Sequence, residues 1–467
     1  MQQITRVIGG TVWSEDGPLQ ADLVLDAEGK VEALEVRGSQ DTGARDEKGP
    51  RLEEGGVIDA TGLWLLPGAV DVHVHFRDPG LVESEDFLTG SAAAALGGVT
   101  TVLDMPNTLP PVGDPGALGE KIRAVAGRSY VDYGLFGAAV AEREDDLLAA
   151  VEAMAALGAC GIKVFLGPTT GDIQAPGWGA LYELCRHFGK SGLVFTFHCE
   201  DRDVIQRARA RRRRLDPADY QSLLQLRPRF GELLATDGVL RLALETGARV
   251  HIAHVALKEA VVAIAQAKRW GAQVTAETCP QYLLLSDGDY PVHGPAMKAL
   301  PPIRSAGDRE ALWQGLLEGA IDLVATDHAP HRRERSAHEA VWEPPFGIAG
   351  VQTMLPLLLD QALQGACTVS DVVRWTSANP ARAYGLYPQK GSLLPGADAD
   401  VALVDPEAEW RVDETWWKGK SRNTPFWGRR GKGLPVATLV RGRLVSWQGS
   451  LAAEPQGRFL ANSAVRR

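Results

Sequence analysis

Six residues at the ends of apolar runs could build one metal centre: His73, His75, Lys163, His198, His254 and Asp327. In Asp71-Val72-His73-Val74-His75 the two histidines alternate with valines. Alternate residues of a strand share a face, so both imidazoles point one way and both valines the other. Two imidazoles on one face can grip a single metal ion. The other four close the runs Gly161-Ile162-Lys163, Leu193 to His198, Val250 to His254, and Asp322 to Asp327. Each histidine alone reads more readily as a hydrogen-bonded structural residue than as a ligand. The set, joined by Thr326-Asp327-His328-Ala329-Pro330-His331, reads as a metal site.

Lys163 is the odd member, because an ammonium carries three protons and no lone pair. Burial near other cations lowers a lysine pKa and favours the neutral amine. That amine can take up CO2 to become a carbamate, an anion whose two oxygens can bridge two metals about 3.5–4 Å apart. The alternative for Lys163 is a salt bridge to Asp327.

Several strand ends must meet to bring these residues together. Strand patterns start near Ala69, Thr100, Val131, Gly161, Leu193, Arg249, Gln273 and Ile321. Helical patterns follow most of them, over Asp86–Leu96, Asp145–Ala156, Leu181–Lys190, Lys258–Arg269 and Arg309–Leu317. Eight such units predict an α/β fold, a (β/α)8 barrel over residues 66–389. A doubly wound open sheet is the alternative. The ligand positions favour the barrel, since a closed ring draws strand ends one, four, five, six and eight to one point.

Residues 1–65 read as short strands with Gly- and Asp-containing breaks, and residues 390–455 repeat that texture. Both termini are therefore expected to join in one β-sandwich, with a poorly ordered tail over 456–467. The segment 331–344, rich in Arg and Glu, is expected to form a lid or rim at the barrel mouth.

Hydrophobic residues make up 45% of the chain, charged residues 23%, and the net charge is −10. That balance speaks against a nucleic-acid partner or an anionic membrane surface. No apolar run reaches the ~18 residues that span a bilayer, and the N-terminus lacks a charged-then-apolar signal pattern. Five scattered cysteines without CxxC pairing fit a reducing cytoplasm. The basic run Arg211–Arg214 reads as a solvated face in an insertion, with a phosphate-binding patch as its alternative.

Across residues 1–450 the chain resembles the cyclic amidohydrolases, the group of dihydroorotases, allantoinases and hydantoinases. The resemblance implies a metal-dependent barrel with a sandwich from both termini. It implies two zinc ions: His73, His75 and Asp327 on one, His198 and His254 on the other, with carboxylated Lys163 and a hydroxide bridging them. It also implies Asp327 as the catalytic proton shuttle, and a homo-oligomer, either a dimer or a tetramer.

Within the group, His73-Val74-His75-Phe76-Arg77-Asp78-Pro79-Gly80, Asp104-Met105-Pro106-Asn107-Thr108 and the segment ending at His331 resemble dihydroorotase. Ser421-Arg422-Asn423-Thr424-Pro425-Phe426 agrees. The likeness makes Arg77, Asn107 and His331 the contacts for a substrate carboxylate. Allantoinases tend to carry asparagine at the Arg77 position. Hydantoinases usually place tyrosine where this chain has Pro168. The expected reaction is reversible hydrolysis of L-dihydroorotate to N-carbamoyl-L-aspartate, a step of pyrimidine biosynthesis. An allantoinase or hydantoinase-type ring hydrolase is the alternative, because Thr278–Leu283 and Ala299–Arg304 resemble all three. Ala256 and Gln352 also depart from the usual serine and glutamate. A catalytically silent homologue serving as an assembly partner is the reading outside enzymes, and the retention of all six candidate ligands speaks against it.

Overall fold

The computed structural model describes residues 3–38, 49–171, 173–332 and 340–462. Eight parallel strands carry its centre: β1 (Ala69–Val74), β2 (Val99–Asp104), β3 (Asp132–Leu135), β4 (Ile162–Phe165), β5 (Val194–His198), β6 (Arg249–Ile252), β7 (Val274–Thr278) and β8 (Leu323–Val324). Every residue of β1 to β5 is buried. Strands covered on both faces have no polar side to alternate with, so they read as unbroken apolar runs.

The strands pair in chain order. β1, β2 and β3 form one stretch. β3 then bends at Phe136, and its continuation Gly137–Ala138 pairs with β4. From β4 the pairing runs through to β8. The ring closes where the His75 N–H donates to the His328 carbonyl at 2.7 Å, beside a parallel bridge between Val74 and His328. That return from the end of β8 to β1 makes the sheet a barrel instead of an open sheet.

Local chemistry sets the helix ends. Asp86 accepts from the Thr89 N–H at 2.8 Å and caps the helix Phe87–Leu96. Ser305 and Asp308 form a reciprocal capping box for Ala306–Leu317.

Strands from both ends of the chain merge in one eleven-stranded sheet. Val401–Arg411 pairs with Arg430–Val440 and with Trp64–Pro67, which lies against Thr11–Ser14. The long strand Gly17–Leu25 pairs with Thr11–Ser14 in its first half and with Arg6–Ile8 and Val31–Val36 in its second. It thereby carries the sheet over onto itself. Val7, Leu23, Leu65, Val401, Leu403 and Leu439 fill the space between the layers, giving a sandwich. At its seam with the barrel, buried Lys390 donates to Asp132 at 2.6 Å and to Asp400 at 2.8 Å.

The expected poor order after Gln456 does not hold for residues 456–462. The Tyr133 N–H donates to the Arg458 carbonyl at 3.0 Å, and the Leu460 N–H donates to the Tyr133 carbonyl at 2.8 Å. Because ladder pairing with β4 begins only at Gly137, the first half of β3 has an edge to be satisfied, and the tail supplies the partners. Phe459 adds a ring contact to Tyr133. Residues 463–467 lie outside the described residues.

All five cysteines are unpaired. Among the described residues no helix is long and apolar enough to cross a membrane.

Candidate active site

The C-terminal ends of β1, β4, β5, β6 and β8 open on one cavity, lined by all six residues singled out for a metal centre. They reach it by different routes. His73 lies within β1 and His75 just beyond it, on the face that alternation assigns to both. Lys163 and His198 sit within β4 and β5, and His254 and Asp327 in the turns that leave β6 and β8.

Asp327 Oδ1 lies 3.1 Å from His75 Nε2 and 3.3 Å from His73 Nε2. On the far side, His198 Nδ1 and His254 Nε2 are 3.0 Å apart. Tetrahedral ligands about 2.0–2.1 Å from a metal lie about 3.3–3.4 Å from one another. Both groups therefore fit a cation of zinc size. The ligand atoms of His73, His75 and Asp327 all fall within 4.8 Å of one another. Lys163 stands between the groups, with Nζ 3.4 Å from His73 Nε2.

Outer contacts turn the correct nitrogens inward. His73 Nδ1 is bound by the Glu277 carboxylate, and His198 Nε2 lies 3.0 Å from Glu200. A carboxylate on the remote ring nitrogen fixes the tautomer and frees the other nitrogen for a metal. Glu277 also accepts from His251 Nε2 at 3.0 Å and from the His254 backbone N–H at 3.2 Å. One carboxylate thus braces three ligand-bearing or ligand-adjacent positions.

The electrostatics suit a cation. Burial, aided by the Lys163 charge, pushes His73 down to about 4. Burial drives His75 and His254 well below their ordinary value and lowers His198. All four are neutral near pH 7 and offer a lone pair. Burial also lowers Lys163, toward the amine form that can react with CO2. Burial raises Asp327, a shift that a cation alongside would reverse.

Two of the three expected substrate contacts line the same cavity. Arg77 is buried, and its Nη1 has no hydrogen-bond partner among the described residues. Its Nε makes a long contact of 3.4 Å to the Pro330 carbonyl. Asn107 donates to the Thr170 carbonyl at 2.9 Å, and its buried amide oxygen is unpartnered among the described residues. An unpartnered acceptor suits a ring N–H as well as the amide's remaining N–H suits a carboxylate.

His331 is not brought in. Its ring bonds the Phe346 carbonyl and lines a separate outer hollow with Glu83 and Pro345. Gly347, which lines the cavity, has φ +139, where a Cβ would stand 2.3 Å from the Ala329 carbonyl oxygen and 3.0 Å from His331 Nε2. Of the segment expected to form a lid or rim, residues 333–339 lie outside the described residues.

Residues 64–445 match the profile described as Amidohydrolase family. The chain belongs to the amidohydrolase family. Like other amidohydrolases it is a hydrolase, and its barrel with a sandwich from both termini is shared with its relatives. It is similar to an allantoinase from Rubrobacter xylanophilus, 37% identical over 420 residues that cover 88% of this chain and 91% of that protein. It is similar to a dihydroorotase from Halobacterium salinarum, 38% identical over 439 residues that cover 94% and 98%. A solved L-hydantoinase (dihydropyrimidinase) from Arthrobacter aurescens matches with a TM-score of 0.90 at 32% identity, covering 98% of this chain and 100% of that one.

Sequence reasoning missed the carboxylates that brace this amidohydrolase site. Glu277 lies within β7 and Glu200 two residues beyond β5, and a carboxylate at the end of an apolar run was their one available signal. It also missed Asp71, which accepts from the Thr326 N–H at 3.0 Å and ties β1 to the segment bearing Asp327.

Proposed function

We propose that the chain hydrolyses the cyclic amide bond of a carboxylate-bearing ring, L-dihydroorotate, to N-carbamoyl-L-aspartate, and runs the reverse closure. The observation that carries this reading is Arg77: a buried guanidinium facing the cavity with one nitrogen unpartnered among the described residues. A planar fork of that kind is completed by a carboxylate, which allantoin lacks.

In this reading His73, His75 and Asp327 would hold one zinc ion and His198 and His254 the other, with carboxylated Lys163 as a further ligand. Such a pair, when bound, supplies a Lewis acid for the ring carbonyl and brings the pKa of water toward neutrality. The neutral Lys163 amine attacks CO2, an N–C bond forms, and the amine proton leaves to give the carbamate. Arg77 orients the ring through its carboxylate, while Asn107 offers its oxygen to a ring N–H and its free N–H to the carboxylate. Asp327 takes the proton of the attacking water on its carboxylate and delivers it to the leaving ring nitrogen. Orientation by Arg77 and Asn107 contributes specificity more than bond breaking.

The reading includes a reducing, cytoplasmic setting, supported by the five unpaired thiols. It also includes a dimer or tetramer of identical subunits, which light scattering after size exclusion measures. The deciding experiment is turnover of dihydroorotate, allantoin, hydantoin and dihydrouracil by the zinc-supplied protein. Preference for dihydroorotate is expected. Efficient opening of allantoin with dihydroorotate untouched would overturn the substrate while leaving the amidohydrolase chemistry intact.

A further inference from the structure

Next to the metal-site cavity lies a second one of about 440 Å³. The two share Thr169, Thr170, Leu300 and Phe346 on their walls, so they are neighbours across these four residues. Its lining includes Arg209, Arg212 and Arg227 and, among the described residues, one carboxylate residue, Glu343.

The three arginines are not equivalent. Arg227 is buried and balanced, bonding Glu200 through one nitrogen and the Pro168 carbonyl at 2.8 Å through the other. Arg209 closes the helix Arg202–Arg209, and Arg212 opens the single turn Arg212–Arg214 that follows. The spacing of three residues along a helical path puts them side by side. Neither makes an ion pair or a side-chain hydrogen bond among the described residues. Elsewhere in this chain of net charge −10, an arginine such as Arg229 finds Asp308 and Arg382 finds Glu15.

The wall between the reacting centre and these arginines has its own chemistry. Leu300 and Phe346 make part of it apolar. Thr169 presents a buried hydroxyl oxygen that is unpartnered among the described residues. An apolar stretch of wall beside two unneutralised guanidinium groups fits a methylene stem with an anionic tip.

We propose that the outer cavity is a subsite for a substrate arm that ends in an anion, a carboxylate or a phosphoryl group, held by Arg209 and Arg212. This rests on the ring-hydrolase reading and extends it. The accepted substrates include cyclic amides larger than dihydroorotate, with an acidic substituent directed away from the metal site. It also gives the basic run Arg211–Arg214 a use, because one of its members lines the cavity.

The experiment compares kcat/KM for hydantoins whose ring carries a straight methylene arm ending in carboxylate, phosphonate or neutral carboxamide. The zinc-supplied wild type and the double variant Arg209→Gln/Arg212→Gln are measured at physiological salt. Anionic arms should outperform the carboxamide arm by about 10-fold, the order expected of partly exposed charge pairs acting together. The double variant should abolish that ratio, and the better of the two anions names the tip. Calorimetric binding of the same rings is read alongside. A carboxylate or phosphonate preference that is lost in the double variant supports the subsite even if no ring is opened, in which case the hydrolase reading alone fails. Equal handling of charged and neutral arms by the wild type overturns the proposal. So does a ratio unchanged in the double variant, which would put the arm's contact elsewhere.

Discussion

Replacing Arg77 by Met separates a binding group from a folding group. The guanidinium is 2% exposed, and burial lowers its pKa from 12.5 to about 10. At about 1.4 kcal/mol per unit, that shift means the folded protein disfavours the charged form by roughly 3 kcal/mol. The sign follows from the direction: a cation whose pKa falls on folding costs stability at every pH below the folded value, hence throughout the working range. Methionine keeps much of the stem volume and removes the charge. Among the described residues, the one polar contact this side chain makes is its long one to Pro330. The metal-free variant should therefore melt at the same temperature as wild type or a few degrees higher. Binding should respond the other way. Truncating one partner of a buried charge pair costs about 2–5 kcal/mol, which is about 30- to 5,000-fold in kcat/KM. Steady-state kinetics on dihydroorotate and on unsubstituted hydantoin, with thermal melts in parallel, measure both effects. The loss should fall on dihydroorotate through KM and spare hydantoin. A steep drop in melting temperature with equal losses on both rings would make Arg77 a structural residue and refute the carboxylate anchor.

Asp327→Asn should bring a loss of about 10²–10⁴ in kcat, with the circular dichroism spectrum unchanged; half-retained activity would remove Asp327 from the mechanism. Lys163→Ala should lower bound metal, read by elemental analysis, along with activity, and short carboxylic acids should restore part of both; full metal occupancy would contradict a bridging role. Against the upward push of burial, hydrogen bonds from Arg229 and Ser305 hold the Asp308 carboxyl at about 2. Its contribution to stability is complete above the unfolded value near 4 and is lost as pH falls toward 2, so Asp308→Asn should flatten that acid limb in denaturation curves; an unaltered limb would show that the pairing does not matter.

Much of the site could be read directly because metal-ligand residue types ended runs that were otherwise apolar. His73 and His75 need only the strand's alternation, and β1 provides it. The barrel followed from the alternation of strand and helix patterns, and the observed strands start within about two residues of the expected positions. What escaped depends on distance across the ring. Glu277 and His73 are 204 positions apart yet are joined by a hydrogen bond, and nothing local in Val274–Thr278 says where its glutamate points. His331 failed for the opposite reason. The motif Asp327-His328-Ala329-Pro330-His331 looks like one unit, but the chain leaving Pro330 carries the last ring to the Phe346 carbonyl. The tail escaped because its order comes from an open edge of β3 and owes little to its own apolar pattern.

The backbone of the site has a feature that periodicity cannot express. Among the described residues, five non-glycine residues have left-handed φ: Arg77 at 61°, His254 at 38°, Asp327 at 47°, Arg441 at 48° and Gln448 at 46°. The first three line the cavity. An L-residue in this region gives up roughly 1–2 kcal/mol, so something must hold each one there. For His254 the flanking backbone is pinned on both sides: the Ala253 N–H donates to Phe197 at 3.0 Å, and the Val255 N–H donates to Glu277 at 2.8 Å. For Asp327, Ala325 is tied to Thr278 at 3.1 Å, and the His328 N–H reaches Thr326 Oγ1 at 3.0 Å. The barrel rim thus fixes the neighbours, and the residue between them turns out of the strand's two-residue alternation. Extended alternation would present only every second residue to the mouth. A left-handed turn changes the direction in which the next side chain leaves the strand. The strain is therefore tied to ligand geometry. Glycine at 254 or 327 would relieve it and remove the imidazole or carboxylate that the turn exists to aim.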